Sequence, residues 1–457
     1  MRTPIFTTVL FSLFFVRPLV VAQDGFVEGI RTLPPPALAN YDEAKVPKFE
    51  LTDPLKTLDG RKVDTPELWN TVRRPELLKL FEEHMFGRPT RFQRNGEEII
   101  RMQWFHRDTA LALDGKALRH QFQLVFYSDA SIDADTLVAL ATNNIDNDGT
   151  FPRLHVADLL VFTPKSDHSA KRVPILLRMN AAGNHSVSTD PGIRLATGQQ
   201  ESARGSGASR GGIELAIERG YAIATALNHD FEPDYNGGFR EGVRRFLYAE
   251  NEEPEPDEAN TIATWAWGHG KILDAILANQ DLLNIDPDKV AVMGHSRLGK
   301  TALWAGAIDT RFALVISNNS GCGGAALARR EYGETVHQTN TIFPHWFCGN
   351  YKKYNLDVNA LPFDQHELIA LIAPRPVYIA SAVEDHWADP KGEFLSGFHA
   401  DPVYRLLGTD GIAGAKEMPP LNQPVGGRIG YHIREGEHDI KPFDWDKFLD
   451  FADKHWR

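Results

Sequence analysis

The stretch KVAVMGHSRLGK, which runs from Lys289 to Lys300, joins an apolar run typical of a buried strand to a segment with helical spacing. Ser296 stands at the junction, between Gly294 and Gly299. A tight strand-to-helix turn would expose the serine hydroxyl, and the amino terminus of the next helix would favour negative charge beside it. The usual serine elbow is Gly-x-Ser-x-Gly, whereas here the second glycine comes one position later. The stretch therefore predicts a nucleophilic serine, with an ordinary strand-to-helix turn as the alternative.

Short apolar runs separated by helical segments occur on both sides of this stretch, from residue 173 onward. Such runs are typical of strands buried on both faces, which predicts a mostly parallel sheet covered by helices. The predicted strands are Val173–Met179, Tyr221–Leu227, Val290–Met293, Phe312–Ser317, Val377–Ala382 and Ile429–Ile433, and the predicted helices are Ile262–Asn279, Leu298–Ile308 and Trp445–Trp456.

The part of the chain before residue 173 has a different pattern. Polar and apolar residues alternate in stretches such as His120–Phe126 and Asp158–Thr163, which indicates antiparallel strands at the N-terminal edge of the sheet. Pro75–Met85 has the spacing of a helix. The predicted fold class is therefore α/β: a three-layer αβα sandwich with a mostly parallel central sheet and antiparallel strands at its N-terminal edge.

Composition excludes several classes of protein. The 457 residues are 42% hydrophobic and 24% charged, which argues against disordered, collagen-like and coiled-coil chains. The net charge is −12 and no run is rich in Lys or Arg, so nucleic acid is not an expected partner.

The acidic insert Glu250–Glu258 lacks a defined ligand spacing, so a solvated loop is favoured over a metal site. Cys322 and Cys348 are too few for a disulfide-rich scaffold, and a single bridge or two buried thiols both remain open.

The amino terminus has the features of a secretory signal peptide at residues 1–22. An apolar stretch from Ile5 to Val16 precedes small or medium residues suited to a cut after Ala22. The stretch is too short for a membrane anchor, and a buried amino-terminal helix is the alternative. An extended segment at 23–50 would then precede a single catalytic domain at 51–457. We expect a secreted or periplasmic monomer with no membrane span in its mature form.

A serine nucleophile requires a histidine base and an orienting carboxylate. Asp385 follows one predicted strand, and His438 follows the last predicted strand on a loop that Gly436 allows to bend. The order serine, acid, histidine is that of α/β-hydrolases. The competing residues are His432, which falls within a strand, and for the acid Glu384 and then Asp389.

At this level of detail the chain resembles the glucuronoyl esterases, carbohydrate esterase family fifteen, in their bacterial branch. The resemblance runs from about Leu51 to Arg457, and its motifs occur in one order along the chain. These motifs are RRPE at 73–76, WAWG at 265–268, GHSRLGK at 294–300, LPFDQHEL at 361–368 and IAPR at 372–375. The resemblance implies an α/β-hydrolase that needs no metal or other cofactor. It also implies cleavage of the ester between lignin alcohols and 4-O-methyl-glucuronic acid side chains of xylan.

The resemblance further implies the roles of individual residues. Ser296 would be the nucleophile, His438 the base, and Arg297 a contributor to the oxyanion hole through its backbone amide and guanidinium. Lys300 matches the lysine that contacts the sugar in this family, and Trp387 matches the tryptophan that lines the sugar pocket.

Two departures from the family pattern affect this transfer. Fungal members carry the acid in a Glu-Ser-Gly segment, whereas here the segment is Asn318-Asn-Ser-Gly321, so the acid would come from the later loop that carries Asp385. The family's sugar-binding glutamine and glutamate are not obvious between Glu334 and Trp346. The residues in that region are His337, Gln338, Asn340 and His345, of which the two histidines are our candidate substrate contacts.

Two other functions remain open at this stage. The chain could be an acetyl xylan esterase or another carbohydrate esterase, in which the sugar lies in the alcohol half of the ester. It could also be a non-catalytic glycan-binding relative of the hydrolases. The presence of Ser296, Asp385 and His438 argues against the second function.

Overall fold

The computed structural model describes residues 38–89, 92–94, 97–128, 132, 136, 138, 140, 142–147, 153–165, 171–195 and 198–457. The predicted signal peptide at 1–22 and residues 23–37 of the predicted extended segment lie outside the described residues. From Leu38 onward the described chain belongs to one compact unit. Residues 38–50 are tied to this unit by Glu43, whose carboxylate accepts hydrogen bonds from Arg330 at 2.6 Å and Lys391 at 2.7 Å.

The strands of the described residues are numbered in chain order. They are β1 (Gln93–Arg94), β2 (Glu97–Glu98), β3 (Arg101–Ala112), β4 (Ala117–Tyr127), β5 (His155–Pro164), β6 (Val173–Asn180), β7 (Ala222–Leu227), β8 (Ile285–His295), β9 (Leu314–Asn318), β10 (Val377–Ala382), β11 (Val425–Gly426) and β12 (Ile429–Arg434).

The α-helices of at least six residues are numbered in the same way. They are α1 (Arg74–Phe81), α2 (Ile213–Glu218), α3 (Thr261–Ala278), α4 (Arg297–Ile308), α5 (Val336–Ile342), α6 (Gln365–Ala370), α7 (Pro390–Leu406) and α8 (Pro442–Trp456). Shorter α-helical turns occur at Pro66–Leu68, Ala208–Gly211 and Gln280–Leu283, and π-helical segments at Trp69–Arg73 and Glu82–Phe86.

Ten strands form one sheet in the order β11-β12-β10-β9-β8-β6-β7-β5-β4-β3. The strands from β12 to β7 in this order are mutually parallel. The pairs β3–β4, β4–β5 and β5–β7 are antiparallel, as is the short pair β11–β12. The predicted mostly parallel sheet with an antiparallel N-terminal edge is therefore confirmed.

Helices cover both faces of this sheet, which completes the predicted three-layer arrangement. Because side chains alternate along a strand, Ile175 of β6 joins the core on one face and Leu176 the core on the other. The first core contains residues of α1, α3, α4, α6 and α7. The second contains residues of α2 and α8, including Ile213 and Trp445.

Two local predictions differ from the structure or are settled by it. The helix predicted over Pro75–Met85 begins one residue earlier as α1 and continues after Phe81 as the π-helical segment that ends before Gly87. Gly87 has a φ of 86°, and a Cβ added there would lie 2.0 Å from the carbonyl oxygen of Glu258. Cys322 and Cys348 are both buried free thiols, so the question of a bridge between them is settled.

The acidic insert Glu250–Glu258 is a loop that forms ion pairs with neighbouring arginines. Glu253 accepts a hydrogen bond from Arg240 at 2.5 Å, and Asp257 pairs with Arg88. Across the part of the chain that the structure describes, no group of three or more His, Cys, Asp or Glu side chains is placed to hold a metal ion. A search of the same residues finds no helix with the length and apolar character needed to cross a membrane.

Loops that follow the parallel strands gather at one edge of the sheet, because the carboxyl ends of parallel strands share an edge. Ser296 follows β8, Asn319 follows β9, Asp385 follows β10 and His438 follows β12. Asp234, which the sequence did not single out, lies on the loop after β7. The topology therefore brings five polar side chains from five loops to the same edge.

Candidate active site

Ser296 lies on a strained turn between β8 and α4. Its φ and ψ are 58° and −129°, values that a residue other than glycine rarely adopts. A Cβ added to Gly294 would lie 1.9 Å from the carbonyl oxygen of Leu298, so this position needs glycine. A Cβ added to Gly299 would lie 3.0 Å from Cβ of Ser320 on the neighbouring loop, which gives the displaced second glycine of the motif a packing role. The turn is the predicted serine elbow.

Asp385 and His438 form the pair that the sequence predicts. His438 Nδ1 donates a hydrogen bond of 2.6 Å to Oδ2 of Asp385, whose side chain is only 3% exposed. The same oxygen accepts a bond of 2.7 Å from Nδ2 of Asn319. Burial alone would raise the pKa of Asp385, but the hydrogen bond and charge of His438, together with the bond from Asn319, lower it. The carboxylate is therefore held ionised against the imidazole.

The imidazole of His438 lies beside the serine elbow. Its ring centroid is 4.6 Å from that of His295, the residue that precedes Ser296. Within the residues that the structure describes, no hydrogen bond joins the Ser296 hydroxyl to this ring, which is 40% exposed. Catalytic hydrogen bonds of this kind are often long in the absence of substrate and shorten when it binds.

The competing residues all have other partners or positions. Glu384 is exposed, and the hydrogen bond from His438 goes to its neighbour Asp385. His432 is buried within β12 and its two ring nitrogens contact Tyr378 and Asp444. Asp389 caps the amino terminus of α7 and accepts a 2.8 Å bond from Arg330.

Arg434, at the end of β12, fixes the loop that carries His438. Its guanidinium donates to the carbonyl oxygens of Glu435 at 2.8 Å, Glu437 at 3.3 Å and Asp439 at 2.5 Å. Its Nε donates to buried Asp444 at 2.8 Å. The backbone on both sides of His438 is thus attached to one buried side chain, a contact that no local sequence motif indicates.

Arg297 follows the nucleophile and its guanidinium is held at the rim of the site. It forms an ion pair with Asp234, and its Cζ lies 5.0 Å from the ring centroid of Trp346 and 5.5 Å from that of Phe343. His345, expected from the sequence to contact substrate, is instead buried and donates from Nε2 to Asp234 at 2.8 Å. Its Nε2 is thus bound to the same carboxylate as Arg297, and its role as a substrate contact remains a prediction from the sequence.

Lys300 is buried one helical turn after Ser296 and pairs with a residue that the sequence left unassigned. Its Nζ donates to Oε2 of Glu334 at 2.8 Å and to the carbonyl oxygen of Cys322. Trp387 is half-buried, and its carbonyl oxygen accepts a bond of 2.8 Å from the backbone amide of Glu334. The structure therefore brings Lys300, Glu334 and Trp387 together.

His337 lies on α5 and is half-buried, which lowers the pKa of its imidazole. No described hydrogen bond or ring contact joins its side chain to Lys300, Glu334 or Trp387. Its role as a substrate contact remains a prediction from the sequence.

A sheet of this topology, with a serine elbow after β8 and an aspartate–histidine pair from the ends of β10 and β12, defines a hydrolase with the α/β-hydrolase fold. The model of a protein family described as "Glucuronyl esterase, fungi" matches residues 180–408. Carbohydrate esterase MZ0003, from an unknown prokaryotic organism, is 44% identical over 432 residues, covering 91% of this chain and 92% of its own. The chain belongs to the glucuronoyl esterase family, carbohydrate esterase family 15, and is a carboxylic ester hydrolase.

Two further relatives agree with this membership. The solved structure of a glucuronoyl esterase from Solibacter usitatus is 39% identical with a TM-score of 0.79, and the match covers 91% of this chain and all of that one, 100%. A 4-O-methyl-glucuronoyl methylesterase of Podospora anserina is 35% identical over 185 residues, which are 38% of this chain and 37% of that protein.

Proposed function

We propose that this protein hydrolyses esters of glucuronic acid or its 4-O-methyl ether, as in the linkages between lignin and glucuronoxylan. The observation that carries the proposal is the 2.6 Å bond between His438 and Asp385 beside the strained Ser296 turn. Family membership and the name of the Podospora relative support the choice of a glucuronic acid ester. The reaction requires no metal or other cofactor, since a serine, a histidine and an aspartate supply nucleophile, base and orienting group.

The reaction begins when the Ser296 hydroxyl attacks the ester carbonyl carbon and His438 accepts its proton. Asp385 stabilises the imidazolium that forms. The tetrahedral intermediate expels the alcohol, which takes the proton from His438, and leaves glucuronate attached to Ser296 as an ester. His438 then removes a proton from water, and the resulting attack releases the acid and restores the serine.

Arg297 supplies positive charge where the carbonyl oxygen becomes negative. Its backbone amide opens helix α4, so this N–H has no partner within the helix and can bind the oxyanion. Its guanidinium adds a fixed positive charge at the rim of the same site. Both groups act in the two tetrahedral intermediates, because each intermediate carries its negative oxygen at the same position.

The sugar is recognised by the group formed by Lys300, Glu334 and Trp387. The half-buried indole offers an apolar face to a pyranose ring, and the charged pair offers donors and acceptors to its hydroxyl groups. His337 is a further candidate contact at the more open side. We also propose a secreted or periplasmic location, which the predicted signal peptide supports, and a monomeric state.

The test compares benzyl glucuronate, benzyl galacturonate and acetylated xylan as substrates of the wild type. The proposal predicts that kcat/KM is highest for the glucuronate ester and that acetate release from xylan is slower. Faster release of acetate would instead identify an acetyl xylan esterase. Failure to hydrolyse any of the three esters by a folded protein would favour a non-catalytic glycan-binding relative.

A further inference from the structure

Asp234 is the residue through which the structure restrains the side chain of Arg297. We propose that Asp234 is a positioning residue for catalysis, which fixes the Arg297 guanidinium beside the developing oxyanion. The inference rests on the function proposed above, in which Arg297 stabilises that oxyanion. Asp234 itself acts through Arg297 and requires no contact with the substrate.

Three side chains converge on the carboxylate of Asp234. Its Oδ2 accepts from Arg297, and its Oδ1 accepts from Nε2 of His345 and Nε1 of Trp346, both at 2.8 Å. The carboxylate is 6% exposed. Burial alone would raise the pKa of Asp234, but the bond from His345 and the charge of Arg297 hold it well below its usual range. Asp234 is therefore a fixed negative charge with its two oxygens assigned to different partners.

The rings beneath the guanidinium restrict it in a second direction. Phe343 and Trp346 stack with centroids 3.7 Å apart and planes at 5°, and Arg297 lies over both rings. An arginine side chain has several rotatable bonds, and a free one would lose that freedom only as the transition state forms. Here part of that freedom is already lost, because the ion pair holds the end of the side chain and the two rings lie beneath it.

The loop that carries Asp234 is itself anchored in the core. Glu232 and Arg244 form a buried ion pair with two bonds, of 2.6 and 2.7 Å. Nε1 of Trp265 donates to the carbonyl oxygen of Glu232 at 2.9 Å. Because this anchor lies two residues before Asp234, Asp234 is fixed relative to the protein core, and Arg297 is fixed through it.

The experiment is a double-mutant cycle on Asp234 and Arg297, with benzyl glucuronate as substrate. In Asp234→Asn the amide oxygen can keep the bonds from His345 and Trp346, while its NH₂ faces the guanidinium and cannot accept from it. The substitution therefore releases Arg297 selectively. The expected result is a fall in kcat of about tenfold with KM changed less than about twofold, because the bond acts on the transition state.

The second arm of the cycle gives the readout that a purely structural role would not move. Arg297→Ala should lower kcat by about a hundredfold, and adding Asp234→Asn to it should cost nothing further. Equal costs of Asp234→Asn in the two backgrounds would overturn the inference, as would a kcat within about twofold of wild type for Asp234→Asn alone. If Arg297→Ala leaves kcat unchanged while the wild type hydrolyses the ester, the role of Arg297 fails and the inference is overturned with it. If the wild type does not hydrolyse glucuronate esters, the proposed function itself has failed.

Asp309→Asn is the matched control. Asp309 is paired with Arg311 at 2.6 Å and lies just after the last residue of α4, about 18 Å along the helix axis from its amino-terminal end beside Ser296. Loss of an aspartate–arginine pair at that distance should leave kcat within about twofold of wild type. Should Asp234→Asn fail to fold, Trp346→Phe serves in the same cycle, because it removes one donor to Asp234 and keeps the ring under Arg297. Its effect on kcat should likewise vanish in the Arg297→Ala background, and persistence there would overturn the inference.

Discussion

Replacing Asp385 with asparagine removes the negative charge that faces His438 and keeps the shape of the side chain. In the wild type Oδ2 of Asp385 accepts from His438 at 2.6 Å and from Asn319 at 2.7 Å. The amide oxygen of the variant can take the place of Oδ2 and keep both bonds. The substitution then removes the stabilisation of the imidazolium and leaves the orientation of the ring largely intact.

The size of the effect follows from this ion pair. Two unit charges about 4 Å apart interact by about 4 kcal/mol at an effective dielectric constant of about 20. His438 is 40% exposed, so solvent screening reduces this to about 2–3 kcal/mol. At about 1.4 kcal/mol for each factor of ten, kcat should fall by about 30-fold to 150-fold.

The assay is the release of benzyl alcohol from benzyl glucuronate at neutral pH, with the melting temperature measured in parallel. Glu384→Gln is the control, since it removes a carboxylate from the neighbouring exposed residue and should leave kcat near that of wild type. A loss of less than about threefold in Asp385→Asn would refute the reasoning. So would a larger loss in Glu384→Gln, because Glu384 would then be the acid.

Asn319→Ala removes a donor that lowers the pKa of Asp385, and it places alanine at a φ of 48°. Loss of the Asn319 donor should lower the free energy of unfolding, measured with urea at pH 7, by about 1–2 kcal/mol. This loss should disappear as the pH falls below about 4, because a carboxyl group with a lowered pKa stabilises the folded state only while it is ionised. The loss caused by the backbone conformation of the alanine should persist at low pH. Arg434→Met should lower the unfolding free energy by about 3 kcal/mol in the same assay, with a loss of kcat from the freed His438 loop. Cys322 and Cys348 should react with a thiol reagent only after unfolding, giving two thiols per chain without reductant, because burial raises their pKa values to about 12 and about 11.

Each of these three outcomes has a clear opposite. For Asn319→Ala, a loss of unfolding free energy that does not depend on pH would mean that the Asn319 amide does not act through the charge of Asp385. An unfolding free energy within about 1 kcal/mol of wild type for the arginine variant would contradict its bonds to the histidine loop. Fewer than two thiols after unfolding would show that the cysteines are oxidised.

The central sheet could be predicted because strands buried on both faces leave continuous apolar runs. Val377–Ala382 was predicted as a strand, and β10 has the same bounds. Strand β8 was predicted over Val290–Met293 but begins at Ile285, because the residues DPDK at 286–289 are polar and lie where the pairing with β6 shifts register. The apolar pattern therefore locates the buried centre of a strand and not its ends.

Other elements had weaker signals. Strand β3 is paired at the sheet edge and most of its side chains are partly or fully exposed, so Arg101–Ala112 shows little apolar alternation. Helix α7 contains Gly392, Gly397 and Pro402, which disfavour helix by propensity, yet its buried face packs against α6 and β10. Tertiary packing thus overrides local preference in α7, whereas β3 is defined by its backbone pairing with β4.

The candidate site divides in the same way. Ser296, Asp385 and His438 could be named from the sequence because each follows a strand in a fixed order along the chain. Asp234 and Glu334 could not, since their roles depend on contacts with residues 63 and 34 positions away that only the folded chain brings together. An isolated aspartate or glutamate on a loop has no pattern that distinguishes it from a solvated one.

The most direct measurement is the kcat of Ser296→Ala on benzyl glucuronate, compared with wild type at equal folded concentration. We expect a loss of at least about a thousandfold with the melting temperature unchanged or raised, since alanine removes the attacking hydroxyl. A variant that keeps more than about one tenth of the wild-type kcat would show that the ester is cleaved without this serine, and it would contradict the proposed role of Ser296 as the nucleophile.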